Sequence, residues 1–548
     1  MPDMTSLGPV IVWGQMAIGL AYNLGVFAVI VGIAFLRFES KDILSWPPSP
    51  QPRRARGAGA AGRSSFAYSR LMSDLTRRQI LGRAAMAAGG ATAVAMGTSA
   101  TGVAAAAPRR AGSERLPWGM FRCSAWNDEA LFAFGAASSG AAEVGEIMEL
   151  VRVVRERTGD PVNPTTADFD VLVDQWQQLA ARLERRAAQS QAAGNLTSAR
   201  QQYLRASSYR SQALFFILGT SRPGREQAAF QACEQDWLSG IALWDVPVVQ
   251  ASIPYQGLSM PAYLFRPAPD GLKRPTVIVC NGSDGQNVDV LCAGITAGLD
   301  RGYNVLTFEA PGQMSLLFNQ QQPMQSDWAP IINAVIGWLT ARSDVDATRI
   351  AAVGISLLGG VIASAGAASP GLAAMIMEPG AYSLAALWGD KKSVKAVEET
   401  LDAPKSVQRE VAAGVNGGLA GSWKYMTPLE RFTVSKRSEL YTRNALVCAR
   451  QGRPPSDYYG LLQAILAFQY QSTLPKVGIP TYVCDNQLDE FFGPQAKKIP
   501  SMLTGLTGDQ KYLRHLTLAT GTQFHDQPLG PQAAQEFIFD WLDAVLGL

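Results

Sequence analysis

Beyond residue 246 the chain repeats one unit: a short, mostly uncharged apolar run followed by a stretch with helical spacing. The runs are Val248–Pro254, Pro261–Arg266, Thr276–Cys280, Asn304–Phe308, Ile350–Ile355, Ala373–Met377, Thr481–Cys484 and Leu516–Ala519. Most lack a polar face, so strands made from them must be covered on both sides. A mainly parallel sheet between helical layers meets that need, which makes the fold class α/β. Val248–Pro254 and Pro261–Arg266, joined at Gly257, read as a hairpin. A closing helix over 531–546 places Phe537, Trp541, Leu542 and Val545 on one side.

The longest interval between strand runs extends from Gly380 to Ile479 and contains Trp388, Trp423, Tyr425, Phe432 and Phe468. An inserted helical cap over the strand ends accounts for it better than a bare loop. Ahead of the sheet, residues 114–245 carry helical spacing. Leu172, Trp176, Leu179 and Leu183 form one stripe, Gly194-Asn195 breaks it, and a second helix starts near Thr197. At 548 residues the chain is too long for one small core, and a helical N-terminal domain (114–245) beside a larger domain (246–548, cap at 380–479) is expected.

The first 110 residues differ in composition. They hold 12 Lys/Arg against 4 Asp/Glu, leaving 36 against 41 for the remainder, so the body is mildly acidic and offers no electrostatic footprint for nucleic acid. Residues 7–36 are uncharged and long enough to span a bilayer, and the basic residues after them would keep that end cytoplasmic. A Pro/Arg/Gly-rich linker follows; its Gly57, Gly59 and Gly62 match a dinucleotide fingerprint only formally, since no strand precedes them. Thr76-Arg77-Arg78-Gln79-Ile80-Leu81, a weakly hydrophobic Ala/Gly stretch and Ala104–Ala106 form a twin-arginine signal peptide over 72–107. Two targeting segments in series suggest that translation starts at Met72; the alternative is a genuine membrane anchor in residues 1–71. Export to the periplasm or beyond is expected either way, with the twin-arginine translocation machinery as a partner.

His515 and His525 are the only histidines. That scarcity excludes a His-rich metal centre and makes any imidazole chemistry easy to place. The six cysteines, Cys123 to Cys484, have neither zinc-site spacing nor the density of a disulfide framework. Neither metal nor cofactor is expected.

Gly354-Ile-Ser356-Leu-Leu358-Gly359-Gly360 lies where a strand run meets a small-residue helix. A serine on such a turn is lifted out of the strand end, and the next backbone N–H, that of Leu357, points at a developing oxyanion. Serine needs a base. His525 stands in a loop after the last strand run, whereas His515 is expected at the other end of that run, on the opposite edge of the sheet. Asp489, after the penultimate run, suits the orienting carboxylate. Asp485 and Glu490 are rivals, Asp485 lying so near the strand end that capping the turn suits it better. A second oxyanion donor is expected from the glycine loop Asn281-Gly-Ser283-Asp284-Gly285, at the backbone of Ser283 or Asp284. The order Ser356, Asp489, His525 is that of an α/β-hydrolase.

These segments, with Arg301-Gly-Tyr-Asn-Val-Leu-Thr-Phe-Glu-Ala-Pro-Gly-Gln313, Asp489-Glu-Phe-Phe492 and Phe539-Asp-Trp-Leu542, resemble the capped α/β-hydrolases related to 2,6-dihydroxypseudooxynicotine hydrolase and the fermentation–respiration-switch esterases, dipeptidyl-aminopeptidase-like serine hydrolases. The resemblance spans roughly 120–548. It implies an eight-stranded, mainly parallel sheet with a helical N-terminal region and cap, and a nucleophile, acid and base on Ser356, Asp489 and His525. It also implies an ester or similarly activated small-molecule carbonyl substrate held between the sheet edge and the helices. The family's elbow ordinarily has glycine where Leu358 stands. Some members break carbon–carbon bonds beside a carbonyl with an extra carboxylate, for which Glu378, ending the run Ala373–Met377, is the candidate. A non-catalytic binding protein on the same fold is the reading from another class, and a homodimer is compatible with all of them.

Overall fold

The computed structural model describes residues 119–548, which fall within one compact unit. The expected membrane span, linker and signal peptide lie outside the described residues. Among the described residues no helix is long and apolar enough to cross a membrane.

The apolar runs form one eight-stranded sheet in the order β1-β2-β4-β3-β5-β6-β7-β8. The strands are β1 (Val249–Tyr255), β2 (Leu258–Phe265), β3 (Arg274–Cys280), β4 (Asn304–Phe308), β5 (Val345–Ile355), β6 (Ala374–Glu378), β7 (Thr481–Asn486) and β8 (Lys511–Leu516). β1 and β2 are antiparallel, β2 meets β4 antiparallel, and every pairing from β4 to β8 is parallel. The β1–β2 turn is Gln256-Gly257 with both φ positive, 47° and 80°, as a two-residue hairpin of matching twist requires.

β8 departs from expectation. The run Leu516–Ala519 is not a strand; the strand is Lys511–Leu516, and Leu518–Thr520 turns as a short 3₁₀ helix behind Thr517. β8 is an edge strand with Tyr512 and His515 exposed, so it has none of the continuous hydrophobicity that marks the central strands. His515 therefore pairs across from Asp485 on β7, not at the opposite edge of the sheet.

Helices cover the sheet. Ahead of it come α1 (Ser124–Ala136), α2 (Val144–Thr158), α3 (Thr166–Ala192), α4 (Leu196–Phe216) and α5 (Glu226–Ile241). Within the sheet region lie α6 (Ile295–Asp300), α7 (Met314–Phe318), α8 (Ala329–Thr340) and α9 (Leu357–Ala368). The interval between β6 and β7 holds α10 (Lys391–Glu398), α11 (Lys405–Trp423), α12 (Pro428–Ser438), α13 (Arg443–Arg450) and α14 (Tyr458–Leu466), then α15 (Ile499–Met502) and α16 (Pro531–Leu546) follow. Thr165 with Asp168 and Thr427 with Glu430 make reciprocal capping boxes that fix where α3 and α12 begin.

One hydrophobic core runs through all these layers, from Phe121 to Leu546. Trp237 of α5 meets Tyr263 of β2 edge-on at 5.7 Å, and Phe169 of α3 lies 5.0 Å from Phe432 of α12. The leading helices thus pack against both the sheet and the helices inserted after β6. Burying each such ring contributes a few kcal/mol, since truncation to alanine typically costs ~3–5 kcal/mol.

Candidate active site

Ser356 follows β5 directly and opens α9 with φ 53° and ψ −120°, a conformation that costs a non-glycine residue roughly 1–3 kcal/mol. The backbone around it is crowded. A Cβ on Gly354 would run into the Leu358 carbonyl, one on Gly359 into the Pro379 carbonyl, and one on Gly282 would lie 2.9 Å from Ser356 Cβ. The positions that demand glycine are therefore 354, 359 and 282. Leu358, where the related elbows carry glycine, is fully buried in the core.

Ser356 Oγ lies 2.9 Å from His525 Nε2, and His525 Nδ1 lies 3.2 Å from Asp489 Oδ2. The second Asp489 oxygen accepts the Phe491 and Phe492 backbone N–H groups at 2.9 and 2.8 Å, which orients the carboxylate. The rings of those two residues flank the imidazole, centroids 4.6 and 5.1 Å away. The structure thus joins the three side chains expected to act together. It separates off the rivals: Asp485 Oδ2 bonds His515 Nδ1 at 2.5 Å, so that carboxylate pairs with the other histidine and does not simply cap its turn. Burial, with Asp128 and Asp489 nearby, pushes the Glu490 carboxyl well up.

Several positioning groups carry no sequence motif. Asn486, the last residue of β7, donates through Nδ2 to the carbonyls of Phe524 (2.6 Å) and Thr522 (3.2 Å), pinning the loop that presents His525. Gln313 Nε2 donates to the carbonyls of Asn281 (2.6 Å) and Gly282 (2.8 Å), pinning the glycine loop. The Gly282 N–H is taken by Asn281 Oδ1 at 2.8 Å. Ser283, Asp284 and Leu357 all line the same cavity as Ser356. The Asp284 carboxylate turns toward α12, where Arg437 Nη1 (2.5 Å) and Lys436 Nζ (3.5 Å) hold it. Burial alone would raise the Asp284 pKa, but those two cations outweigh it and keep the carboxyl below its ordinary value.

The electrostatics around the imidazole are dominated by acids. Burial would lower the His525 pKa, yet Asp526 and Asp489 outweigh burial and push it up to about 9. Asp526 Oδ1 lies 3.4 Å from His525 Nε2, and its own carboxyl is raised to about 7, chiefly by burial. Glu378 ends β6 with its backbone carbonyl accepting the Ser356 N–H at 2.6 Å. The residue is 2% exposed, and Oε2 has no hydrogen-bond partner. Burial first, then Asp526, pushes the Glu378 pKa up to about 8. Among the described residues no group of three or more His, Cys, Asp or Glu side chains could hold a metal ion.

No family model matches the chain. Hydrolase ORFZ of Pyricularia oryzae is 34% identical over 277 residues, covering 48% of this chain and 63% of that protein. Alpha/beta hydrolase psoB of Aspergillus fumigatus is 28% identical, covering 50% and 62%, and 20-hydroxy-prefusarin hydrolase FUS2 of Gibberella moniliformis is 29% identical, covering 48% and 62%. The chain thus spans somewhat under two thirds of the length of these relatives. In three dimensions the crystal structure of 2,6-dihydroxy-pseudo-oxynicotine hydrolase superposes with a TM-score of 0.51 at 21% identity, covering 75% of this chain and 95% of that one. The chain therefore has the α/β-hydrolase fold, and about half of it is similar in sequence to hydrolases.

Proposed function

We propose that this protein is a serine hydrolase that cleaves an ester or similarly activated small-molecule carbonyl compound through an acyl-enzyme. The observation that carries the reading is the continuous link Ser356–His525–Asp489 at 2.9 and 3.2 Å, buried beside a cavity. Neutral His525 takes the Ser356 proton as Oγ attacks the carbonyl carbon, and Asp489 stabilises the imidazolium that results. The oxyanion receives hydrogen bonds from the Leu357 N–H and from the backbone of Ser283 or Asp284. Collapse of the tetrahedral adduct expels the leaving group, which takes the proton from His525. Water, deprotonated by the same imidazole, then cleaves the acyl-enzyme and restores Ser356. A fluorophosphonate probe should label Ser356 and no longer label a Ser356→Ala protein. Undiminished turnover by that variant would refute the assignment.

The unpartnered Glu378 oxygen favours a second reading, hydrolysis of a carbon–carbon bond in a β-diketone-like substrate. A carboxyl held protonated beside the nucleophile can donate to the departing enolate carbon. Under this reading Glu378→Gln abolishes turnover of β-diketones but spares simple esters, whereas equal loss on both classes excludes it. We also propose export by the twin-arginine route, with residues 1–71 as a membrane anchor if they are translated. That proposal rests on the paired Arg77-Arg78 and the Ala-rich stretch that follows. N-terminal sequencing of the native protein tests it: a chain that starts near Ala107 supports cleavage and export, one that keeps residues before 72 supports the anchor, and an uncleaved chain that starts at Met72 would overturn the proposal.

A further inference from the structure

We infer that the cavity beside Ser356 receives a hydroxylated substrate, and that Gln212 of α4 is the residue that recognises its hydroxyl group. The inference deepens the hydrolase reading and rests on it.

α4 turns one face to the cavity, where Ser211, Gln212 and Phe215 line it. Side chains enclose the backbone of a helix, so what α4 presents there is side chain. Ser211 is committed: its hydroxyl donates to Asp289 at 2.8 Å, which fixes α4 against the segment that follows the glycine loop. Gln212 has no such commitment. The residue is 4% exposed, and its Oε1 is buried with no hydrogen-bond partner. A buried amide oxygen left unmatched costs stability, and a bound donor removes that cost.

Other unmatched polar atoms at the cavity belong to the machinery already described. Glu378 Oε2 is at the catalytic turn, and Asp526 Oδ1 lies 3.4 Å from the His525 ring. Asp284 Oδ1 has Lys436 Nζ at 3.5 Å. Gln527, 1% exposed and with Nε2 unpartnered, follows His525 by two residues at φ 50°, so changing it would disturb the base. Gln212 stands on a helix outside the sheet and takes no part in the triad.

The chemistry of the unmatched atom selects the ligand. An amide oxygen is a neutral acceptor, which calls for an O–H or N–H donor and gains nothing from an anion. Gln527 Nε2, on the same cavity, calls for an acceptor. A hydroxyl group answers both needs, because its oxygen accepts as readily as its hydrogen donates. The walls from Phe132, Phe215 and Phe491 suit the apolar remainder of such a molecule. A substrate without the hydroxyl would leave Oε1 unmatched, and a site of this kind discriminates strongly against it.

The test uses the full chain and ketones that cannot be hydrolysed, so binding is read without turnover. Calorimetry at pH 7 compares 4-phenyl-2-butanone with its 3-hydroxyphenyl and 4-hydroxyphenyl counterparts. At least one hydroxylated ketone should bind about tenfold or more tightly than the parent. Gln212→Met should bring that pair within about threefold of each other, while Gln212→Glu, which keeps an acceptor oxygen, retains the preference. Because Oε1 holds nothing in the free protein, Gln212→Met should also melt no lower than the unmutated chain. No preference for either hydroxylated ketone, no detectable binding, a preference that survives Gln212→Met, or a marked fall in its melting temperature would each overturn the inference. Fluorophosphonate labelling of Ser356 in the unmutated chain reports separately on the hydrolase reading.

Discussion

Arg437 Nη1 of α12 lies 2.5 Å from Asp284 Oδ2, an ion pair that joins the inserted helices to the loop in front of the nucleophile. The same guanidinium packs over Phe491, whose ring flanks His525 and whose N–H holds Asp489. One side chain outside the sheet therefore braces both loops that must converge on Ser356.

Arg437→Met should consequently lower kcat by about 10–100-fold on a small neutral ester, the scale expected when catalytic groups lose their alignment. Stability should fall by roughly 1–3 kcal/mol, less than for a fully buried pair, because Lys436 stays beside Asp284. The Asp284 carboxyl is held below its ordinary value, so the pair stabilises the fold at neutral pH and loses that effect as the pH falls through the lowered pKa. Steady-state kinetics with melting curves at pH 3 and pH 7 would check both parts. An unchanged kcat would remove Arg437 from the positioning role.

Activity should rise with pH. His525 must be neutral to accept the serine proton, and its pKa stands at about 9 because Asp526 and Asp489 outweigh burial. The ascending limb of the kcat/KM profile should titrate near that value. Asp526→Asn removes one negative neighbour, so the limb should move to lower pH, by about one unit or more. A profile that stays in place would show that Asp526 does not act on the imidazole.

Glu378 titrates in the opposite sense for stability. Its folded pKa of about 8 lies above the ordinary 4.5, so the unfolded chain ionises first and stability falls between those two values as the pH rises. Glu378→Gln should remove that loss. The melting temperature of the variant, compared with the parent, should gain steadily from pH 5 to pH 8, by a few degrees for every kcal/mol recovered. A constant difference between the two proteins across that range would contradict the argument.

At the elbow, Gly359→Ala should cost about 1–3 kcal/mol or more, because the new methyl meets the Pro379 carbonyl. Leu358→Gly restores the pattern of related elbows yet should also destabilise, by roughly 2–5 kcal/mol, since it removes a fully buried side chain. Chemical denaturation of both variants distinguishes a turn that needs glycine at 359 from one that needs it at 358.

The central strands were legible because a strand covered on both faces must be apolar along most of its length. β8 was misplaced for the complementary reason. At the sheet edge, half-exposed Tyr512, Arg514 and His515 hide the strand, while Leu516 and Leu518 imitate one. The same shift misdirected the placement of His515, although the choice of His525 beside Ser356 did not depend on it.

By itself, the amino-acid sequence determined the α/β architecture, the serine turn and a single histidine suited to face it. These follow from local requirements: apolar runs of strand length, small residues at a tight turn, and a scarcity of imidazoles. Tertiary structure alone decided the rest. It set Asp489 beside the His525 imidazole, oriented by two backbone N–H groups, and paired Asp485 with His515 instead. It brought Arg437 to Asp284 across 153 positions of chain, and gathered Glu129, Glu378 and Asp526 around one cavity. Charges so far apart in sequence interact only through the space that folding creates. Burial sets how strongly they interact, and burial cannot be read from residue order.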